Sequence, residues 1–250
     1  MRLWACVLLL ALSGCARNAE ISRVAWPVMG TQAAVQWKGP QIDEDVIRAQ
    51  RVLSEIERLL NAHDRESELS KLASLPDAEI LARCDPRVRM CYEAAFRLRD
   101  ETGGLFNPRW RGPGTMDLGA IAKGFAIDRC ELANALVDLG GNLKAFGGCW
   151  RVGIAGGETF ELKPGESCAT SGEYYRGHHI RDGRTGGELT NTVYSVTVVH
   201  PESAMLADGL STVMFLMGRT RGTKFLREHY PEARAHWIEG VERSCWTLRE

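Results

Sequence analysis

The chain is 250 residues long, 44% hydrophobic and 25% charged, with 31 Lys and Arg against 32 Asp and Glu and a formal net charge of −1. That length and apolar content suffice for one large domain or two small ones with a substantial core. A near-neutral balance without a basic block gives no support for nucleic-acid binding, and no stretch after the amino-terminal run is long and apolar enough to span a membrane.

The chain opens with Met1-Arg2 and an apolar run over residues 3–12 that closes on Leu12-Ser-Gly-Cys15. The run is shorter than the roughly 20 residues a spanning helix needs, so it reads as a cleaved signal over residues 1–14. Leu-Ser-Gly-Cys resembles a bacterial lipoprotein box, which makes Cys15 the lipidated first residue of a mature domain over 15–250. Several acyl chains on Cys15 would hold that domain at a membrane surface. Residues 25–37 are apolar and β-branched around a break at Gly30, which predicts a strand pair. Val46, Ala49, Leu53, Ile56 and Leu60 recur at helical spacing after Asp43 and Glu44. Asp85-Pro86 opens a second helix that runs through Leu98 and stops at Gly103-Gly104. A third helix is expected over residues 120–136, short strands around Lys144, Val152, Cys168, Ile180 and Val196, and an alternating strand over 192–199. A fourth helix over 203–217 and strands over 233–238 and 245–248 complete the chain. Runs of both kinds without strict βαβ alternation point to a single α+β domain of mixed sheet and helices.

Two segments carry the chemistry. Asp117-Leu-Gly-Ala-Ile-Ala-Lys-Gly places a carboxylate, a run of small residues and Lys123 at the opening of an apolar-periodic stretch. A phosphate cradle at a helix N-terminus has this composition. In Ala207-Asp-Gly-Leu-Ser-Thr212, Asp208, Ser211 and Thr212 stand at i, i+3 and i+4, so their oxygens share one helix face. Hard oxygens on one face suit Mg²⁺, which completes its shell with water and substrate phosphate. Beyond Cys6 and Cys15 the cysteines are Cys84, Cys91, Cys130, Cys149, Cys168 and Cys245. An oxidising compartment would permit disulfides among them, and their scattered spacing argues against a zinc site.

These motifs, in order, resemble the ApbE-type flavin transferases. Met29-Gly-Thr31, Ser67-Glu-Leu-Ser70, Thr102-Gly-Gly-Leu-Phe106-Asn-Pro108 and Asp117 to Asp128 are similar to successive family signatures. So are Val137-Asp-Leu-Gly-Gly141-Asn, Ala169-Thr-Ser-Gly172, His178-His-Ile-Arg-Asp182-Gly-Arg-Thr-Gly186 and Ala207 to Thr212. The resemblance implies an enzyme that moves FMN from FAD onto a threonine or serine hydroxyl of an acceptor flavoprotein and releases AMP. It further implies flavin-nucleotide contacts from Met29, His63, Gly104, Leu105, Phe106, Asp117, Lys123 and Ile180. Mg²⁺ would be held by Asp208, Thr212, Ser211 and the Ala120 carbonyl. His179 would take the hydroxyl proton, Asp182 would orient it, and Lys123 would stabilise the reacting phosphates. By the same resemblance the acceptors are membrane redox subunits, reached from the periplasmic side of the bacterial inner membrane where the lipid anchor holds the enzyme. A hydrolase yielding FMN and AMP would use nearly the same residues, and a non-catalytic flavin-binding lipoprotein would keep the pocket without the chemistry. The chain departs from the family pattern at His63, where an aromatic residue is usual, at Asn107 for aspartate, at Gly183 for proline, and in a short link over residues 109–116.

Overall fold

The computed structural model describes residues 21–40, 42–154, 158–172, 180–189, 193–239 and 244–247. Its frame is an eight-stranded sheet in which every neighbouring pair is antiparallel. The strands are β1 (Ile21–Val28), β2 (Thr31–Lys38), β3 (Ala135–Leu139), β4 (Asn142–Phe146), β7 (Ser167–Gly172), β8 (Val193–His200), β9 (Arg234–Glu239) and β10 (Ser244–Thr247), and they lie side by side in that order. A separate hairpin of β5 (Trp150–Gly153) and β6 (Thr159–Leu162) stands outside it.

Helices α1 (Asp43–Leu60), α4 (Pro86–Glu101), α5 (Gly119–Asp128) and α6 (Ala204–His229) share one large core with the sheet, with the short α2 (Glu68–Leu72) and α3 (Asp77–Arg83) at its margin. The opposite face of β3, β4, β7 and β8 packs under the β5–β6 hairpin through Leu136, Ala145, Trp150, Leu162 and Val199. This second cover explains one departure from expectation. β8 is buried along nearly its whole length rather than alternating, because both of its faces meet other layers.

The strand pair, the first two long helices, the strands at 144, 152, 168 and 196 and the two tail strands form as expected. The third helix does not reach 136. It ends at Asp128, the chain turns through Glu131 at φ 50, and residues 135–139 join the sheet as β3. An apolar run of this kind fits a buried helix and a buried strand equally well by periodicity. The last residue of the helix is held by partners distant in sequence: the Asp128 carboxylate accepts from Ala204 N, Met205 N and Ser203 Oγ and receives Lys144 Nζ. A carboxylate at the α6 N-terminus satisfies otherwise unpaired amides and complements the helix dipole. Ile180, expected in a strand, lies in irregular backbone. The fourth helix breaks where expected, after Met217, because Gly218 takes φ 70 and ψ 169, but a second helical length continues it to His229. α2, α3 and β6 lie outside the elements that the sequence pattern predicts.

Among the described residues the thiols of Cys84, Cys91, Cys130, Cys149 and Cys168 are free, and all but Cys149 are buried. Burial pushes the Cys130 thiol up to about 12 and raises Cys91 and Cys168 as well, which makes these structural thiols inert. No helix among the described residues is long and apolar enough to cross a membrane. Cys15 and the signal segment lie outside the described residues.

At the end of β8, His200 Nδ1 accepts from both Glu202 N and Ser203 N, so this nitrogen must carry no proton. Burial lowers the pKa from 6.5, against an opposing Glu232 Oε1 at 3.3 Å from Nε2. The unfolded chain therefore takes up a proton first as pH falls. The resulting stability is present above about pH 6.5 and is lost below it. Thermal unfolding followed from pH 7.5 to 5.5 should show a falling melting temperature that is flatter in His200→Asn. Equal slopes in the two proteins would exclude His200 as the source.

Candidate functional site

Gly124 sets the geometry of the site. A Cβ built there would lie 2.1 Å from the Ala204 carbonyl oxygen, so α5 and α6 touch backbone to backbone. That contact brings Lys123 beside Asp208, with Nζ 3.5 Å from Oδ1. The Gly124 N–H donates to Asp208 Oδ2 at 3.0 Å. In a regular helix this N–H serves the Ala120 carbonyl, so that carbonyl competes with a carboxylate for its donor. Lys123 Nζ also donates to Gly119 O at 3.0 Å. Asp208 is only 5% exposed. Burial raises its pKa, and Lys123 and the Gly124 amide act in the opposite direction.

Behind Asp208, Ser211 Oγ donates to the Asp208 carbonyl at 2.8 Å and pairs with Ser171 Oγ at 2.8 Å. Ser171 Oγ also lies 3.2 Å from Thr212 Oγ1. The end of β7 thus fixes the hydroxyls that follow Asp208 on α6. At the start of α5, Asp117 Oδ1 accepts from Gly119 N at 2.9 Å, and Oδ2 lies 3.4 Å from Arg111 Nη2. Asp117 therefore holds the helix entrance and also reaches a cation.

These groups line one cleft of about 870 Å³, within the range of about 300–1,000 Å³ common for small-molecule sites. Of the expected residues, His63, Phe106, Asp117, Ala120, Lys123, Ile180, Asp208 and Thr212 lie on its wall. Ser211 stands behind it. Met29, at φ 52 in the β1–β2 turn, donates its N–H to Glu57 Oε1 and packs its side chain on the main core, while Thr31 of the same motif lines the cleft. Gly104 and Leu105 support the wall from behind: Leu105 is buried, and its carbonyl accepts from Gly183 N. Asp182 is bound by Arg184 through Nε and Nη2, and the Arg184 hydrogen bond lowers its pKa. His178 and His179 lie outside the described residues.

The cleft also takes in Trp110, Arg111, Asp138, Ser171 and Arg181. Asp138 and Ser171 sit inside family-like motifs and could have been singled out there. Trp110 and Arg111 belong to the short link, which marked only a departure.

Among the described residues no three His, Cys, Asp or Glu side chains gather as a metal cluster. A cation at Asp208 would instead take hydroxyl, carbonyl and ligand oxygens, a hard donor set that fits Mg²⁺ and not Zn²⁺.

The fold is that of known flavin transferases. The flavin transferase ApbE from Vibrio cholerae superposes with a TM-score of 0.77 over 92% of this chain and 97% of that one, at 22% identity. The apo flavinyl transferase ApbE of Pseudomonas stutzeri gives 0.73 at 20% identity, covering 92% of this chain and 94% of the other. In sequence, residues 110–237 match the ApbE family. An FAD:protein FMN transferase of Vibrio cholerae is 28% identical over 89% of this chain and 90% of its own length. One from Treponema pallidum is 34% identical over 61% of this chain and 51% of its own length. The chain belongs to the ApbE family.

Proposed function

We propose that the protein is an FAD:protein FMN transferase that moves FMN from FAD to a threonine or serine hydroxyl of an acceptor protein. The observation that carries this reading is the Lys123–Asp208 pair on the wall of a large cleft, beside the α5 entrance held by Asp117. The names of its relatives point the same way.

In this reading the acceptor oxygen attacks the phosphorus of the FMN half. The anhydride P–O bond breaks, and AMP leaves with the bridging oxygen. Lys123 and the first amides of α5 hold negative charge on the phosphates. Phe106 and Ile180 face the flavin nucleotide, with Met29, Gly104 and Leu105 supporting that wall. His179 accepts the hydroxyl proton, and Asp182 orients it while sharing its carboxylate with Arg184. Asp208, Thr212 and the Ala120 carbonyl, steadied by Ser211, would hold Mg²⁺. When bound, the ion would neutralise charge developing on the pyrophosphate.

Cys15 would carry the lipid that keeps the domain on the periplasmic face of the inner membrane, near membrane redox subunits. Detergent-phase partitioning tests this part: Cys15→Ser should move to the aqueous phase, and unchanged partitioning would remove the anchor from Cys15.

The reaction itself is tested by incubating the mature protein with FAD and Mg²⁺, with and without an acceptor domain. AMP release that requires the acceptor is the expected result. Acceptor-independent AMP would indicate a hydrolase, and bound FAD without AMP a carrier; either overturns the transferase reading.

A further inference from the structure

Among the described residues Phe106, Trp110 and the imidazole of His63 border the cleft, and they differ in how they are held. Phe106 is 5% exposed, belongs to the main core, and its N–H is fixed by Thr102 Oγ1. His63 is exposed on a turn after α1. Trp110 is half-buried and belongs to neither hydrophobic core cluster. Packing among the described residues therefore does not account for its large apolar ring.

The backbone beneath Trp110 is firmly tied. Trp110 N donates to Asn107 O at 3.1 Å. Arg109 Nη1 donates to Ala73 O and Thr115 O, and Nη2 to Asp77 Oδ1 at 3.0 Å. Asp117 N closes the link onto Pro108 O at 2.8 Å. Arg111 places its guanidinium carbon 4.8 Å from the Trp110 ring centroid and its Nη2 3.4 Å from Asp117 Oδ2. The indole is thus held by its backbone and by the Arg111 guanidinium on the wall of the Lys123–Asp208 cleft.

We propose that Trp110 is a binding residue that stacks on a planar heteroaromatic ring of the ligand, with Arg111 as the positioning residue that holds the indole toward Asp117. The inference rests on the reading of the cleft as an FAD site, where the isoalloxazine and the adenine offer the same chemistry. A stacking contact of this kind changes affinity by roughly threefold to tenfold.

The test titrates FAD, FMN and ADP separately into wild type, Trp110→Phe and Trp110→Leu. Trp110→Leu keeps apolar bulk and removes the ring, whereas Trp110→Phe keeps a ring. FAD affinity should fall roughly threefold to tenfold in Trp110→Leu and stay within about threefold of wild type in Trp110→Phe. The same loss for FMN alone identifies the isoalloxazine as the stacked ring, and for ADP alone the adenine. If the flavin is stacked, indole quenching of its emission is relieved in Trp110→Leu. Equal affinities of wild type and Trp110→Leu for all three ligands overturn the proposal. A wild type that binds no FAD overturns both this inference and the proposed function. Wild-type binding without acceptor-dependent AMP overturns the function alone.

Discussion

Asp208→Asn is expected to lower FAD-dependent turnover by about 100-fold or more while leaving the fold intact. Asparagine keeps an oxygen for the Gly124 amide and removes the charge. The thermal effect should be small. Burial raises the Asp208 pKa in the folded protein, so below the ordinary carboxylate range both states are protonated and nothing is gained. As pH rises past that range the unfolded chain ionises first and the folded state loses stability. Without metal at neutral pH, relief of the buried charge and loss of the Lys123 partner oppose each other, so the melting temperature should change little. Mg²⁺ should raise the melting temperature of wild type and not of the mutant. Wild-type turnover in Asp208→Asn at ordinary Mg²⁺ would remove this residue from the site.

Gly124→Ala should be strongly destabilising although it adds a single methyl. On an open helix surface the change would stabilise by up to about 1 kcal/mol. Here the added carbon meets the Ala204 backbone at 2.1 Å, and neither helix can yield by rotating a side chain. Overpacking of this kind costs about 1–3 kcal/mol or more, which lowers the melting temperature by roughly 2–12 °C in a domain of this size. Turnover should fall as well, because any separation of α5 from α6 moves Lys123 away from Asp208. A melting temperature equal to or above wild type would show that the helices do not meet as described.

The site was legible in sequence where it is built locally. The Asp117-to-Lys123 segment is one helix entrance, and Asp208 and Thr212 are one turn of another, so their spacing already places their chemistry. Their mutual approach was not legible, because it depends on Gly124 against Ala204, far apart in the chain. The end of α5 is set in the same way by partners far along the chain, because residues 135–139 pair with β2 rather than extend the helix.

The departures from the family pattern also gain meaning only in the fold. Asn107 Nδ2 donates to Gly183 O at 3.0 Å, Gly183 N donates to Leu105 O at 2.9 Å, and a Cβ at 183 would stand 2.5 Å from Asn107 Cβ. Two separate substitutions in the sequence are thus one contact, in which proline would lose the N–H that Leu105 accepts. The short link likewise carries Trp110 and Arg111 into the cleft, a placement that no local pattern encodes.

Covalent transfer is read most directly from the intact mass of a purified acceptor domain after incubation with the protein, FAD and Mg²⁺. The expected result is a gain of one FMN moiety, mapped to a threonine or serine hydroxyl, that is absent without FAD and nearly absent with Asp208→Asn. An acceptor that stays unmodified while FAD is converted to FMN and AMP would contradict the assignment of this cleft to flavin transfer.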